Sequence, residues 1–196
     1  MDMPNIPAPS TRAFPTHTVE TAPEAARPLL ASVRSANGFL PAAVARTAES
    51  PAVLLQELAL FKAFAATSLS ALEREVVTML VARTHDCGLC VAMHSAILAR
   101  TGASPERIEA LRAGTPLGEE RLDALSAFAA SVIERRGDVA PDVWARFLAA
   151  GFTRAQALEV VLGVAVYTLS TFANRLVEAP IDAPLLPYAR AEGTAE

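Results

Sequence analysis

Charge is in short supply in this chain. Only 19% of its 196 residues are charged, and the 17 Lys and Arg are scattered among 21 Asp and Glu instead of forming a basic stripe. With net charge −4 and an isoelectric point near 5.5, the electrostatic footprint that nucleic-acid binding needs is missing, so no DNA or RNA partner is expected. Long apolar runs are missing as well. The longest, VVLGVAVYTL from Val160 to Leu169, is about ten residues, roughly half a membrane span, which reads as a buried core helix and predicts no membrane partner. The N-terminus, MDMPNIPAPSTRAFP, carries an acid at Asp2 and no apolar run behind it, so neither a signal nor a transit peptide is expected and a cytoplasmic location is. Period-two alternation bounded by hairpin turns is absent throughout, which excludes a β-sheet fold. Cysteine occurs only twice. In a reducing cytoplasm, so close a pair points to catalysis or metal binding before a structural staple.

What is present is helical signal between two proline-rich ends. Six of the 14 prolines fall in the first 28 residues, making 1–28 an extended arm. The sequence EAPIDAPLLPYARAEGTAE makes 181–196 a similar tail, and apolar residues in the two ends (Ile6, Phe14, Leu185, Leu186, Tyr188) are expected to pack over the body or a neighbour. Between them, 29–180 reads as one domain. A first helix stops at Asn37-Gly38, and Pro51 opens another with Leu54, Leu58 and Phe61 at helical spacing. Ser70 with Glu73, and Thr153 with Gln156, form capping boxes ahead of two further helices, the second reaching about Glu178. The intervening helices stop at Gly102, Gly114, Gly137 and Gly151. The expected fold is all-α, a multihelical bundle. At 52% hydrophobic and mean hydropathy +0.31, it has more apolar surface than a small monomer needs, so a second subunit is expected to cover some of it. Laying EVV at Glu75 over EVV at Glu159 also suggests an internal duplication, in which Thr171 and Asn174 stand where Cys87 and Cys90 do.

The segment HDCGLCVAMH, His85 to His94, holds both cysteines and two of the three histidines. A helix starting at Asp86 or Cys87 puts Cys87, Cys90 and His94 on one face, with the imidazole one turn beyond Cys90, where it can take a thiol proton. Unpaired N–H groups in the first turn and the helix dipole stabilise a thiolate, and in such settings cysteine pKa values fall to roughly 3.5–7.5 from about 8.5. Asp86, if it caps the helix, uses part of that field. Two sulfurs at this spacing can also close an exchangeable disulfide, a two-electron device suited to peroxides or to another protein's dithiol. Zinc held by Cys87, Cys90, His94 and His85 is an alternative, although structural sites usually draw two ligands from a distant segment and only His17 lies elsewhere. Inert buried cysteines are another. His85 reads as a loop residue, solvated or capping. Glu75 shares the edge of an apolar face with Leu72, Met79 and Ala82, as either a solvated flank acid or an inward carboxylate that orients an imidazole.

Glu75 followed by Cys87-x-x-Cys90-x-x-x-His94, on EREVVTMLVARTHDCGLCVAMHSAIL, resembles the core motif of the carboxymuconolactone decarboxylase superfamily, in its alkylhydroperoxidase-like, peroxidase-related branch. NGFLPAAVARTAESPAVLLQEL and YTLSTFANRLVEAPID resemble the flanking helices, so the likeness runs over about 37–182. The resemblance implies an all-α homo-oligomer that reduces peroxides or disulfides through thiols, as an antioxidant. Carried over, Cys90 is the peroxide-attacking thiolate, Cys87 its resolving partner, His94 the base, and Glu75 the next member of the proton relay. A hydroperoxide substrate and an external dithiol or protein disulfide reductant follow; neither a metal nor another cofactor is implied. Gly88-Leu89 stand where the best-studied alkylhydroperoxidases have a histidine between the cysteines, and Thr171 stands where the closing helix often has asparagine, while Asn174 is kept. The lactone decarboxylases of the superfamily lack the cysteine pair. Two other readings are an acid–base enzyme using Glu75 and His94, decarboxylase-like, and a non-enzymatic redox-sensing helical oligomer.

Overall fold

The Thr153 side chain accepts from the backbone N–H of Gln156, whose side-chain oxygen accepts from the Thr153 N–H, and Ser70 and Glu73 pair in the same way, so both capping boxes form. In the computed structural model, which describes residues 13–189, they start the two central helices, α4 (Ala71–Thr84) and α9 (Arg154–Leu176). Around these pack α1 (Arg27–Asn37), α2 (Ala42–Thr47), α3 (Pro51–Ala65), α5 (Gly88–Arg100), α6 (Pro105–Ala113), α7 (Glu120–Glu134) and α8 (Pro141–Ala149). No strand occurs among the described residues, and the fold is the all-α bundle expected.

Every residue from Val76 to Ala82 is buried, so α4 is covered on all faces and not along one stripe. Its neighbours are α9, α5 and α7, with α3 and α6 completing the shell. The N-terminus of α4 is fixed electrostatically. One oxygen of buried Glu73 accepts from Ser70 N at 2.7 Å, and the other from Arg121 Nε of α7 at 2.7 Å. Burial pushes the Glu73 carboxyl up, but the Ser70 amide and the Arg121 guanidinium outweigh it and hold the carboxyl below its ordinary range. Arg121 also donates to Ala150 O at 2.9 Å and covers the Phe152 ring, beside a stack formed with Phe147 and Phe128.

By length and composition alone α9 could cross a membrane. Here one side of it forms core, through Val160, Gly163 and Val166, while Leu158, Val161, Phe172 and Leu176 face outward. The VVLGVAVYTL run is therefore core on one face only.

Both ends are more structured than their prolines suggest. Helical turns begin at Glu24 and α1 at Arg27, and the earlier strand of chain is pinned where His17 meets Glu49 at 2.8 Å and Thr16 receives Arg46. At the other end, Ile181 and Leu185 pack on the main core, a turn of 3-10 helix over Ala183–Tyr188 lies against α5, and Asp182 accepts from Ala42 N at the start of α2. Leu186 is exposed. Ile6 and 190–196 lie outside the described residues.

Gly163 lets α9 approach α3 and α4. A Cβ there would meet the Phe64 ring at 2.6 Å and Val77 Cγ1 at 3.0 Å, and Phe64 is itself buried. Glycine to alanine inside a helix ordinarily stabilises by up to about 1 kcal/mol. Gly163→Ala is expected to do the opposite, destabilising by about 1–3 kcal/mol through overpacking, as measured by the urea midpoint; an unchanged or higher midpoint would contradict the close approach.

Candidate active site around the Cys87–Cys90 disulfide

The turn between α4 and α5 builds the site. His85 ends α4, and Asp86 takes φ 51°, a left-handed conformation that Asp tolerates better than most residues. The chain then reverses, so that α5 starts at Gly88 with Cys87 as its N-cap, and Cys87 Sγ accepts from Cys90 N at 3.4 Å. Asp86 is thus not the cap. Its carboxylate is exposed and meets Arg175 Nη1 at 3.2 Å, while Arg175 also donates to the carbonyls of His85 and Asp86, both at 2.6 Å. The positive field of the first turn of α5 is left to the sulfurs.

Cys87 and Cys90 are joined in a disulfide with Cα atoms 5.3 Å apart, and are 2% and 1% exposed. One turn on, His94 is 3% exposed; its Nδ1 lies 2.8 Å from Glu75 Oε2. A carboxylate only accepts, so Nδ1 carries a proton and, in the neutral ring, the lone pair lies on Nε2. Nε2 is buried and has no hydrogen-bond partner among the described residues. The His94 ring sits edge-on to Tyr167, centroids 5.1 Å apart. Burial, and the charge of Glu75 after it, push the Tyr167 phenol up to about 12, against the opposing Thr78 hydrogen bond and Arg74 charge. Tyr167 is therefore a neutral wall. Glu75 faces inward, and its carboxylate lines a cavity of about 410 Å³ whose walls also include Phe61, Ile97, Leu98, Arg74 and Tyr167.

α9 closes the other side of the disulfide. Asn174 Nδ2 donates to Cys90 Sγ at 3.4 Å and to Ser170 Oγ at 3.5 Å. The Thr171 hydroxyl donates to Tyr167 O, so its oxygen accepts from His85 Nδ1 at 2.9 Å. The His85 ring packs on Phe172, 4.6 Å between centroids, and burial, then Arg175, lower its pKa.

The structure thus gathers Glu75, Cys87, Cys90 and His94, and sets His85 at the rim, bonded to α9 and not to a cysteine. Among the described residues no group of three His, Cys, Asp or Glu is arranged to hold a metal ion; the four zinc candidates are divided between the disulfide, Glu75 and Thr171. Residue-level reading missed Ser170 and Tyr167 and gave Thr171 and Asn174 no chemistry. Their signal is polar residues repeating at helical spacing through an apolar helix.

Residues 56–119 match the model of the carboxymuconolactone decarboxylase family, a span containing Glu75, Cys87, Cys90 and His94, which bears out the resemblance read from the motif. No curated protein is significantly similar in sequence. Among solved structures, the alkylhydroperoxidase AhpD core protein of Ralstonia eutropha, an uncharacterized peroxidase-related protein, superposes with TM-score 0.77 at 21% identity, over 91% of this chain and 96% of its own. An uncharacterized peroxidase-related protein from Silicibacter sp. gives 0.75 at 16% identity, over 92% and 97%. A cysteine-to-alanine variant of the debrominase Bmp8, in complex with 2,3,4-tribromopyrrole, gives 0.67 at 16% identity, over 84% and 89%. At these identities the likeness is one of fold.

The lowered pKa of His85 carries a sign. The unfolded chain binds the His85 proton at about 6.5 and the folded chain only at lower pH, so this contribution to stability is present above about pH 6.5 and is lost as pH falls toward the folded pKa. His85→Gln is expected to lose less stability than the wild type between about pH 7 and about pH 5.5, followed by urea denaturation. Parallel loss in the two proteins would contradict it.

Proposed function

We propose, from the match of residues 56–119 to the carboxymuconolactone decarboxylase family model and from the disulfide, that this protein is a thiol-dependent peroxidase and disulfide reductase that cycles the Cys87–Cys90 pair in the cytoplasm. The observation that carries the reading is the buried disulfide one helical turn from a histidine whose Nδ1 is held by Glu75. In the reduced protein, His94 Nε2 accepts the Cys90 thiol proton, while Glu75 keeps Nδ1 protonated and steadies the imidazolium. The thiolate attacks the outer oxygen of a hydroperoxide. The S–O bond forms, the O–O bond breaks, and the alkoxide leaves with a proton as alcohol, so Cys90 becomes a sulfenic acid. The Cys87 thiolate then attacks the Cys90 sulfur, the S–O bond breaks, and hydroxide takes a proton and leaves as water. An external dithiol or a protein disulfide reductant returns two electrons and two protons. Asn174 donates to the sulfur on which negative charge develops, and the first turn of α5 adds its own positive field.

One observation favours the decarboxylase-like acid–base reading: the cavity is lined by Glu75 and not by either cysteine. There, Glu75, backed by its hydrogen bond with His94, moves a proton on a small molecule and the disulfide is incidental.

The outward face of α9 supports a homo-oligomer. Leu158 and Leu176, 72% and 61% exposed, end an apolar stripe that runs through Val161, Ala165 and Phe172. Pairing two copies of α9 antiparallel about Tyr167 sets Leu158 against Leu176 and Ala165 against Leu169. The apolar match in this self-complementary register points to a second copy of this chain as the occupant.

Dithiol-dependent peroxide consumption is expected to disappear in Cys90→Ser and in Cys87→Ser, and to fall by about 100-fold or more in His94→Asn. Undiminished consumption in both cysteine variants would sink the peroxidase reading and leave the acid–base one. Separately, the double variant Leu158→Glu with Val161→Glu is expected to sediment as a monomer where the wild type does not; equal masses would remove α9 as the interface.

A further inference from the structure

Glu57 plays no part in the scheme above, yet it is the most unusual carboxylate in the fold. It lies on the buried face of α3 between Leu54 and Phe64, 5% exposed. The Ser170 hydroxyl is the polar group that acts on its carboxyl. Ser170 Oγ accepts from Asn174 Nδ2 at 3.5 Å, and the second N–H of that amide reaches Cys90 Sγ at 3.4 Å. Ser170 and Asn174 are buried as well. A run of buried polar side chains therefore leads inside the core from a carboxyl on α3, past two side chains of α9, to the sulfur on α5. Apolar packing required none of its members, and a carboxyl at that position is costly unless it has a task.

We propose that Glu57 is a positioning residue for the Cys90 thiolate, tied to it through Ser170 and Asn174 so that the two groups titrate as a coupled pair. The direction of the hydrogen bonds gives the reason. Asn174 spends one N–H on each side, and Ser170, having accepted from Asn174, turns its own hydroxyl proton to Glu57. Both ends of the chain are then acceptors, each able to become an anion, and no cation sits between them. A Cys90 thiolate strengthens the Asn174 donation on its own side and makes ionisation of Glu57 harder, while an ionised Glu57 draws Ser170 and Asn174 the other way and makes the thiolate harder to form. Burial favours the neutral carboxyl, with the Ser170 hydrogen bond acting in the opposite sense. A protonated Glu57 can donate to Ser170 and leave Asn174 to the sulfur.

Of the charges on α3 and the elements packed against it, those with a partner have it elsewhere, and others face solvent. Arg46 of α2 binds the Val177 and Glu178 carbonyls, and Glu24 is exposed. On α4, Glu73 pairs with Arg121, Arg74 binds Leu69 O and Glu75 holds His94, while Arg83 has its Nε buried without a partner. On α9, Arg154 is exposed, Glu159 binds Ser68 and Arg175 holds the His85–Asp86 turn; Lys62 of α3 itself is exposed. Around Cys90, the titratable groups are His94 with Glu75 on one side and the Arg175-held turn of His85 and Asp86 on the other.

The coupling rests on the proposed function only in taking Cys90 as the ionising thiol, and its test uses no peroxide. In a Cys87→Ser background, where Cys90 is the sole thiol, the rate of alkylation by iodoacetamide is followed against pH with Glu57, with Glu57→Gln and with Ser170→Ala. With Glu57 present two inflections are expected; Glu57→Gln is expected to leave one, displaced to lower pH by about one unit, and Ser170→Ala to reduce the separation of the two. A role confined to packing would change the melting temperature but not this profile, so superimposable profiles overturn the proposal. If Glu57→Gln does not fold, the infrared carboxyl band of the wild type decides: it is expected to shift on reduction of the disulfide, and an unshifted band overturns the coupling. Failure here leaves peroxide turnover standing, and failure of turnover leaves this coupling untouched.

Discussion

The polar surroundings of the disulfide depend on how closely α9 approaches α3 and α4. The Phe64 ring and Val77 occupy the space where any side chain at Gly163 would go, so the axis of α9 is set by the absence of a Cβ. From that point the helix carries Tyr167 to the His94 ring, Ser170 to Glu57, Thr171 to His85 and Asn174 to Cys90. A displacement of α9 by the width of a methyl group would loosen all four contacts together, because one rigid helix presents them at successive turns. Packing and site geometry are here a single constraint.

Much of this was legible in the sequence, for identifiable reasons. The capping boxes at Ser70 and Thr153 are local codes, and both formed where their residues stood. Cys87, Cys90 and His94 share a helix face because their spacing is local too. Glu75 was ambiguous to periodicity, since a carboxylate at the edge of an apolar face can turn either way; the family motif resolved it, and the His94 hydrogen bond agrees. Asp86 looked like a cap because Asp commonly is one. Its left-handed backbone displaced the helix start by one residue, and a sulfur took the place of the carboxylate.

What escaped sequence reading is non-local. Nothing in the segment containing Glu57 announces that its partner will be Ser170, more than a hundred positions further on, although a carboxylate inside the stripe from Leu54 to Phe64 was a visible breach of pattern. The composition of the proline-rich ends lacks periodicity and predicts arms, yet Asp182 accepts from the first N–H of α2 and Leu185 packs on the core through contacts that no short window contains. The burial of α4 on every face was likewise hidden, since a helix covered all round leaves no amphipathic stripe to read.

The cap of α5 has one more consequence. The atom that accepts one of the unpaired N–H groups in the first turn of this helix, that of Cys90, is the Cys87 sulfur, and that sulfur is half of the disulfide. A helix start is normally written in groups that no redox reaction touches, such as hydroxyls and carboxylates. Here the punctuation mark is itself an electron carrier. Loss or gain of the sulfur–sulfur bond is therefore also an edit to where α5 begins, and the backbone amide of Cys90 reports it from inside the core.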